Sequence, residues 1–207
     1  AVLRAVRTGV AQAAGNMAVQ GMEERDWDVV LVSAHIGARY GDGGKNPSNH
    51  FWWQGKHYSR TGRTPDLPLF VESTGYGTGE GLCGWNCRHS FGPGDIRHNP
   101  FEQFDAEENK RVYDLSQRQR TMESRIRRTK AKLVGLRTAI DATQDAETKA
   151  VLEDKYATTA RLLERQNIGY NQFCEDNSLK RLGERIQIAQ WTREDARKSI
   201  VAVRKSK

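Results

Sequence analysis

The segment GLCGWNCRHSFGPGD, residues 81–95, concentrates two thiols, an imidazole, an indole, a guanidinium and four glycines. Upstream lie His35, His50 and His57, with His98 just beyond the segment. Soft thiolate and imidazole donors suit zinc, which takes four such ligands in a tetrahedron. His35, His50, Cys87 and His89 can supply that set, although the Cys83–Cys87 spacing matches metal knuckles only loosely and there is no C-x-x-C pair. A second chemistry is nucleophilic: a neighbouring imidazole or cation activates a thiol, and Cys87 is flanked by Arg88 and His89. On an extended segment Cys87 and His89 share one face and Arg88 takes the other. A third is a hydrolytic nuclease built on a histidine–metal centre. The plainest reading is packing: a tight glycine-rich loop lets Tyr76, Trp85 and Cys87 turn inward, while His and Asn side chains satisfy loop backbone. GYGTGEG (75–81) lacks the G-x-G-x-x-G spacing of a phosphate cradle, and no Lys-Ser/Thr follows it.

The elements that position these residues follow from patterning. Residues 1–25 read as a helix with Leu3, Val6, Val10, Ala13 or Ala14, Met17 and Met22 on its apolar side. WDVVLVS (27–33) reads as a buried strand, and FWWQGKHYS (51–59) and LPLFVES (67–73) as short strands. After Pro100 proline disappears. Positions 119, 122, 126, 129, 133, 136 and 140 then form a heptad-like seam of Gln, Met, Ile, Thr, Leu, Leu and Ile. A second stripe, Leu152, Tyr156, Ala160 and Leu163, predicts the returning helix of a hairpin. SLKRLGERIQIAQW (178–191) reads as a further helix, and Thr192 with Asp195 as the cap of a last basic one. The fold class is therefore α+β. A small glycine-rich α+β module with an N-terminal helix (1–100) precedes a basic helical region (101–207), with a hairpin over 105–166 and C-terminal helices over 177–204.

Composition narrows the function. The 207 residues carry net charge +7, and the excess is local: Lys110–Arg137 holds ten Lys/Arg against Asp114 and Glu123 alone. Clustered cations favour an acidic partner, nucleic acid first. Arg125, Arg127, Arg128, Lys130 and Lys132 are the candidate phosphate contacts, with 125, 128 and 132 sharing a side. No aromatic interleaves them, so base stacking and sequence readout are not expected. Three cysteines make a disulfide framework improbable and point to a reducing compartment. No apolar run spans a membrane, and no secretory signal opens the chain. Ala1 falls inside a helical pattern, so the chain is read as a fragment or processed product.

Several segments, in this order, resemble the phage minor capsid protein 2 group, which is related to the Mu F-like head-morphogenesis proteins. VRTGVAQAAG carries Arg7 and Thr8. VLVSAHIGAR carries His35 and Arg39. NPSNHFWWQGKHYS carries His50 and Trp53-Gln54-Gly55-Lys56. TGYGTGEGLCGWNCRHSFGPGD carries Tyr76 and Asn86-Cys87-Arg88-His89. YDLSQRQRTMESRIRRTKAKL and ERIQIAQWTREDARKS are similar to the group's basic helical tail. The resemblance implies a minor structural protein of a tailed-phage or prophage head, engaged in portal or capsid assembly and in DNA packaging or ejection. Its implied partners are portal, capsid or scaffold proteins and DNA phosphates, with no membrane and with oligomer contacts through the helices. Its implied place is the virion, in the head interior or near the portal, after assembly in the host cytoplasm. This reading favours an assembly protein over an enzyme. The alternatives are a metal-dependent hydrolase (a nuclease) and a zinc-stabilised DNA-binding module using the His/Cys cluster.

Overall fold

The computed structural model describes residues 2–205. Two compact units, Ala1–Asp114 and Leu115–Lys207, divide the chain.

The first unit opens with α1 (Val2–Glu24), followed by β1 (Val29–Val32), whose β-branched run pairs antiparallel with β2 (His57–Ser59) and β3 (Phe91–Pro93). The order is β2–β1–β3, with Val30 opposite both Tyr58 and Pro93. Two short helices, α2 (His50–Trp53) and α3 (Phe70–Thr74), lie between β1 and β3 in sequence. The core gathers Met22, Val30, Val32, Trp53, Tyr58, Phe70, Leu82 and Cys83. Trp53 is wholly buried, and its indole N–H donates to the Pro47 carbonyl at 2.9 Å. The Tyr58 hydroxyl donates to the Trp53 carbonyl at 2.7 Å, so the polar tips of both rings are satisfied.

Sequence expectation and structure part in three places here. The strands expected over 51–59 and 67–73 are largely helical turns, with only His57–Ser59 extended in the sheet. Asn49 explains the first: its side chain accepts from the Trp52 N–H and caps α2, turning an aromatic run into a helical turn. The second ends at Gly75, a left-handed C-cap with φ 63°. The apolar side of α1 also differs. Val6, Val10 and Met17 are exposed, and the helix packs through Ala11, Gly15, Val19 and Met22. A Cβ at Gly15 would stand 3.1 Å from the Tyr76 ring, so the small residue sets that face by allowing close approach.

The second unit contains most of α4 (Ala106–Ala142), then α5 (Ala146–Asp176), a 3₁₀ turn (Gly183–Ile186) and α6 (Arg193–Lys205). Asp145 caps α5 by accepting from the Thr148 N–H at 2.7 Å. The seam buries Ile126 and Leu133 against Tyr156, Ala160, Leu163, Tyr170 and Cys174. Its polar members are satisfied. Thr129 returns its hydroxyl to the Arg125 carbonyl, and the Gln119 amide donates to the Lys180 carbonyl at 2.9 Å.

Residues 178–191, expected as a helix, instead form an irregular strap with one 3₁₀ turn. Side chains of α4 and α5 satisfy its backbone. Gln119, Arg127 and Lys130 donate to the carbonyls of Lys180, Arg185 and Ile186, while the Leu182 N–H donates to the Tyr170 hydroxyl. Those partners replace the i→i−4 bonds that a helix would have made. The Thr192–Asp195 cap forms as expected: the Asp195 carboxylate accepts from Thr192 N–H and hydroxyl at 2.8 Å each, and the Asp195 N–H donates back to Thr192 Oγ1 at 3.2 Å. No helix among the described residues is long and apolar enough to cross a membrane.

Candidate functional site

Three of the four candidate ligands converge in the first unit. One donor-capable atom from each of His50, Cys87 and His89 lies within 4.8 Å of the others. The asparagine-capped turn of α2 delivers His50, and the chain entering β3 delivers Cys87 and His89. Cys87 Sγ stands 3.6 Å from His89 Nδ1 while Arg88 is exposed, so alternate side chains take opposite faces as an extended segment requires.

Acceptors fix the tautomers of both imidazoles. His50 Nε2 lies 2.7 Å from the Glu80 carbonyl, which only accepts, so Nε2 carries the proton. His89 Nε2 lies 2.9 Å from Gln54 Oε1. That amide oxygen also accepts from the His35 backbone N–H at 3.0 Å, which identifies the atom as oxygen and makes His89 Nε2 a donor too. Each ring therefore keeps its lone pair on Nδ1. Burial holds both rings neutral, lowering the His50 pKa to about 4 and the His89 pKa to about 2. Burial also raises the Cys87 thiol above its usual value, against the pull of backbone hydrogen bonds and Arg39.

Family-motif residues build the walls. Trp53 packs on both rings, with centroids 4.6 Å from His50 and 4.8 Å from His89. Arg39 donates to the carbonyls of Glu80 (3.1 Å) and Trp85 (2.5 Å), clamping the glycine-rich loop beside the cluster. Within that loop a Cβ at Gly81 would meet the Gly75 carbonyl oxygen at 2.1 Å, and one at Gly84 the Gly79 oxygen at 2.4 Å. Only glycine permits those crossings. Asn86 takes a left-handed φ of 57° just before Cys87. The Gly55 carbonyl accepts from Asn99 and Gln103, and Lys56 reaches back over the Trp52 ring. Tyr76 bonds Asn16 on α1 at 2.7 Å.

His35 stands outside the ligand group. Its ring stacks on His89 at 4.4 Å, and its Nδ1 faces the Ile36 carbonyl at 3.0 Å. Trp85, expected to pack inward, is exposed, and Arg39 holds its carbonyl. Arg7 is exposed and Thr8 half-buried on α1.

The basic candidates of the second unit separate into two groups. Arg125, Arg128 and Lys132 are exposed on α4. Arg127 donates to the Arg185 carbonyl, and Lys130 is buried, bonding the Ile186 carbonyl at 2.9 Å beneath the Trp191 ring. Arg118 is a member the sequence reading missed; the seven-residue steps 118, 125 and 132 were the available signal. None of Arg118, Arg125, Arg128 and Lys132 joins an ion pair among the described residues. Glu123, the one acid between 115 and 140, is buried and turned to Tyr170 and Arg185.

The family model described as phage minor capsid protein 2 matches residues 1–164. No curated protein and no solved structure matches the chain.

Proposed function

The chain belongs to the phage minor capsid protein 2 family and is a structural protein of the phage particle; from that premise we propose that its helical region holds DNA phosphates in the head while residues 1–100 dock on portal, capsid or scaffold protein. The observation that carries the DNA reading is the exposed stripe Arg118, Arg125, Arg128 and Lys132 on α4, free of carboxylate partners among the described residues. The helical rise from 118 to 132 puts its ends about 21 Å apart, a length over which several duplex phosphates lie. With no aromatic side chain from 118 to 132, contact is to backbone charge and not to base identity. The fit is to packaged DNA of any sequence, which is what a head component meets during packaging or ejection. The rigid His/Cys/Trp cluster gives the first module a fixed surface for protein docking.

The test is the affinity of the full chain for duplexes of unrelated sequence across a salt series. Equal affinity for all duplexes, falling steeply from 50 to 200 mM salt, supports the reading; if six to ten phosphates are met in all, the drop is about 10³- to 10⁵-fold. Salt-independent binding, or none at low salt, overturns it. A pull-down with portal, capsid and scaffold proteins tests the docking half: capture of one of them supports it, and capture of none overturns it.

A further inference from the structure

We propose that His50, Cys87 and His89 form a three-ligand site for a zinc-class divalent cation, with His50 and His89 binding through Nδ1 and the fourth position left to water or an incoming donor. Three features carry the assignment. The first is the donor set. One thiol and two imidazoles, with no carboxylate among them, select a soft or borderline metal over calcium or magnesium. The second is spacing. With metal–sulfur and metal–nitrogen bonds of about 2.3 and 2.0–2.1 Å, a tetrahedral edge between sulfur and nitrogen measures about 3.5 Å. The Cys87 Sγ to His89 Nδ1 separation is 3.6 Å.

The third is the surrounding shell. A metal-bound histidine characteristically gives its other N–H to a carbonyl or carboxylate, which fixes ring and tautomer. Both rings already do so, His50 to the Glu80 carbonyl and His89 to Gln54 Oε1, and both lone pairs remain on Nδ1. Gln54 and Arg39 are thus positioning residues: Gln54 orients His89, and Arg39 holds the Glu80 carbonyl that orients His50. His35 buttresses the site through its stack on His89 and is not a ligand. Binding replaces the Cys87 S–H proton by the metal and releases that proton to solvent.

The site lies in the first unit and the cationic stripe in the second, so this inference and the DNA reading fail separately. Cobalt(II) serves as the spectroscopic stand-in for zinc. The expected result is one cobalt per full chain, with four-coordinate d–d bands and a thiolate-to-cobalt charge-transfer band that zinc abolishes. Cys87→Ser removes the charge-transfer band, and Cys174→Ser, at the buried thiol of the second unit, keeps it. In the unsubstituted chain, zinc shields Cys87 from alkylation as read by mass spectrometry, a measurement independent of how the variants fold. Gln54→Met weakens zinc binding about 10- to 100-fold. A chain that takes up no metal on saturation overturns the proposal and leaves an S–H···N hydrogen bond between Cys87 and His89. A thiolate band that survives Cys87→Ser overturns it equally.

Discussion

The side-chain oxygen of Gln54 accepts from His89 Nε2 at 2.9 Å and from the His35 backbone N–H at 3.0 Å, so one amide joins the two ends of the histidine cluster. Gln54 and His89 are both buried. Gln54→Met keeps the volume and strands both donors. Each stranded buried donor costs about 1–3 kcal/mol, so the first unit should lose about 2–6 kcal/mol in urea unfolding. A loss below about 0.5 kcal/mol, the scale of an ordinary surface change, would show that the pair is not holding the cluster.

Acid should act on this unit through Asp28. Its Oδ1 accepts from Thr61 N–H and hydroxyl at 2.8 and 2.6 Å, and its Oδ2 from Ser59 and Thr64 hydroxyls at 2.7 Å each. Burial pushes the pKa up, but these hydrogen bonds outweigh it and hold the carboxyl well below the usual carboxylate range. A depressed folded pKa contributes stability above the unfolded value of about 3.9, and that contribution is lost as pH falls below it. Asp28→Ala should therefore cost about 1.5–3 kcal/mol at neutral pH. The gap to the unsubstituted chain should shrink in melts taken progressively below about pH 4.

Neutralising the stripe should change DNA binding without changing the fold. If Arg118, Arg125, Arg128 and Lys132 each meet a phosphate, converting all four to Gln lowers the log–log salt slope by about 3.6. Lys130→Met should behave in the opposite way. It removes the donor to the Ile186 carbonyl and destabilises the second unit while leaving the slope near its original value. Equal slope changes from the quadruple and Lys130 variants would refute the separation of the two groups.

The second unit should depend on Asp195, which is 1% exposed, caps α6 through Thr192 and pairs with Arg137. Asp195→Ala removes cap and counter-ion together, at about 2–4 kcal/mol. Hydrogen exchange should locate the loss in the first turns of α6. A double-mutant cycle with Arg137→Met should return a coupling of about 1–3 kcal/mol.

How far the sequence alone reached depended on whether the signal was local. The Thr192–Asp195 cap and the Cys87/His89 alternation are set within three residues, and both were legible. The hairpin stripes repeat with helical period, so Ile126, Leu133 and Tyr156 could be assigned to a core before any fold was seen. The strap at 178–191 is not legible in the sequence, because its helix-like composition says nothing about carbonyls taken by Gln119, Arg127 and Lys130 some 60 residues earlier. The same long-range bonding hid the inward turn of two cations. His35 entered the ligand set by type, and only the stack on His89 shows that its ring serves as a wall. Gln54 was visible as a motif letter, but its place as the acceptor between two histidines is a fact of three dimensions.

The crossings at Gly81 and Gly84 leave less room than a single methyl group. An engineer wishing to graft a tag, a fluorophore or random diversity onto this protein should accordingly avoid Gly81 and Gly84, where even alanine would prise the backbone apart. The turn around Thr143–Asp145, which joins two helices at the surface, is the tolerant address, provided that the carboxylate of Asp145 is retained for its neighbour.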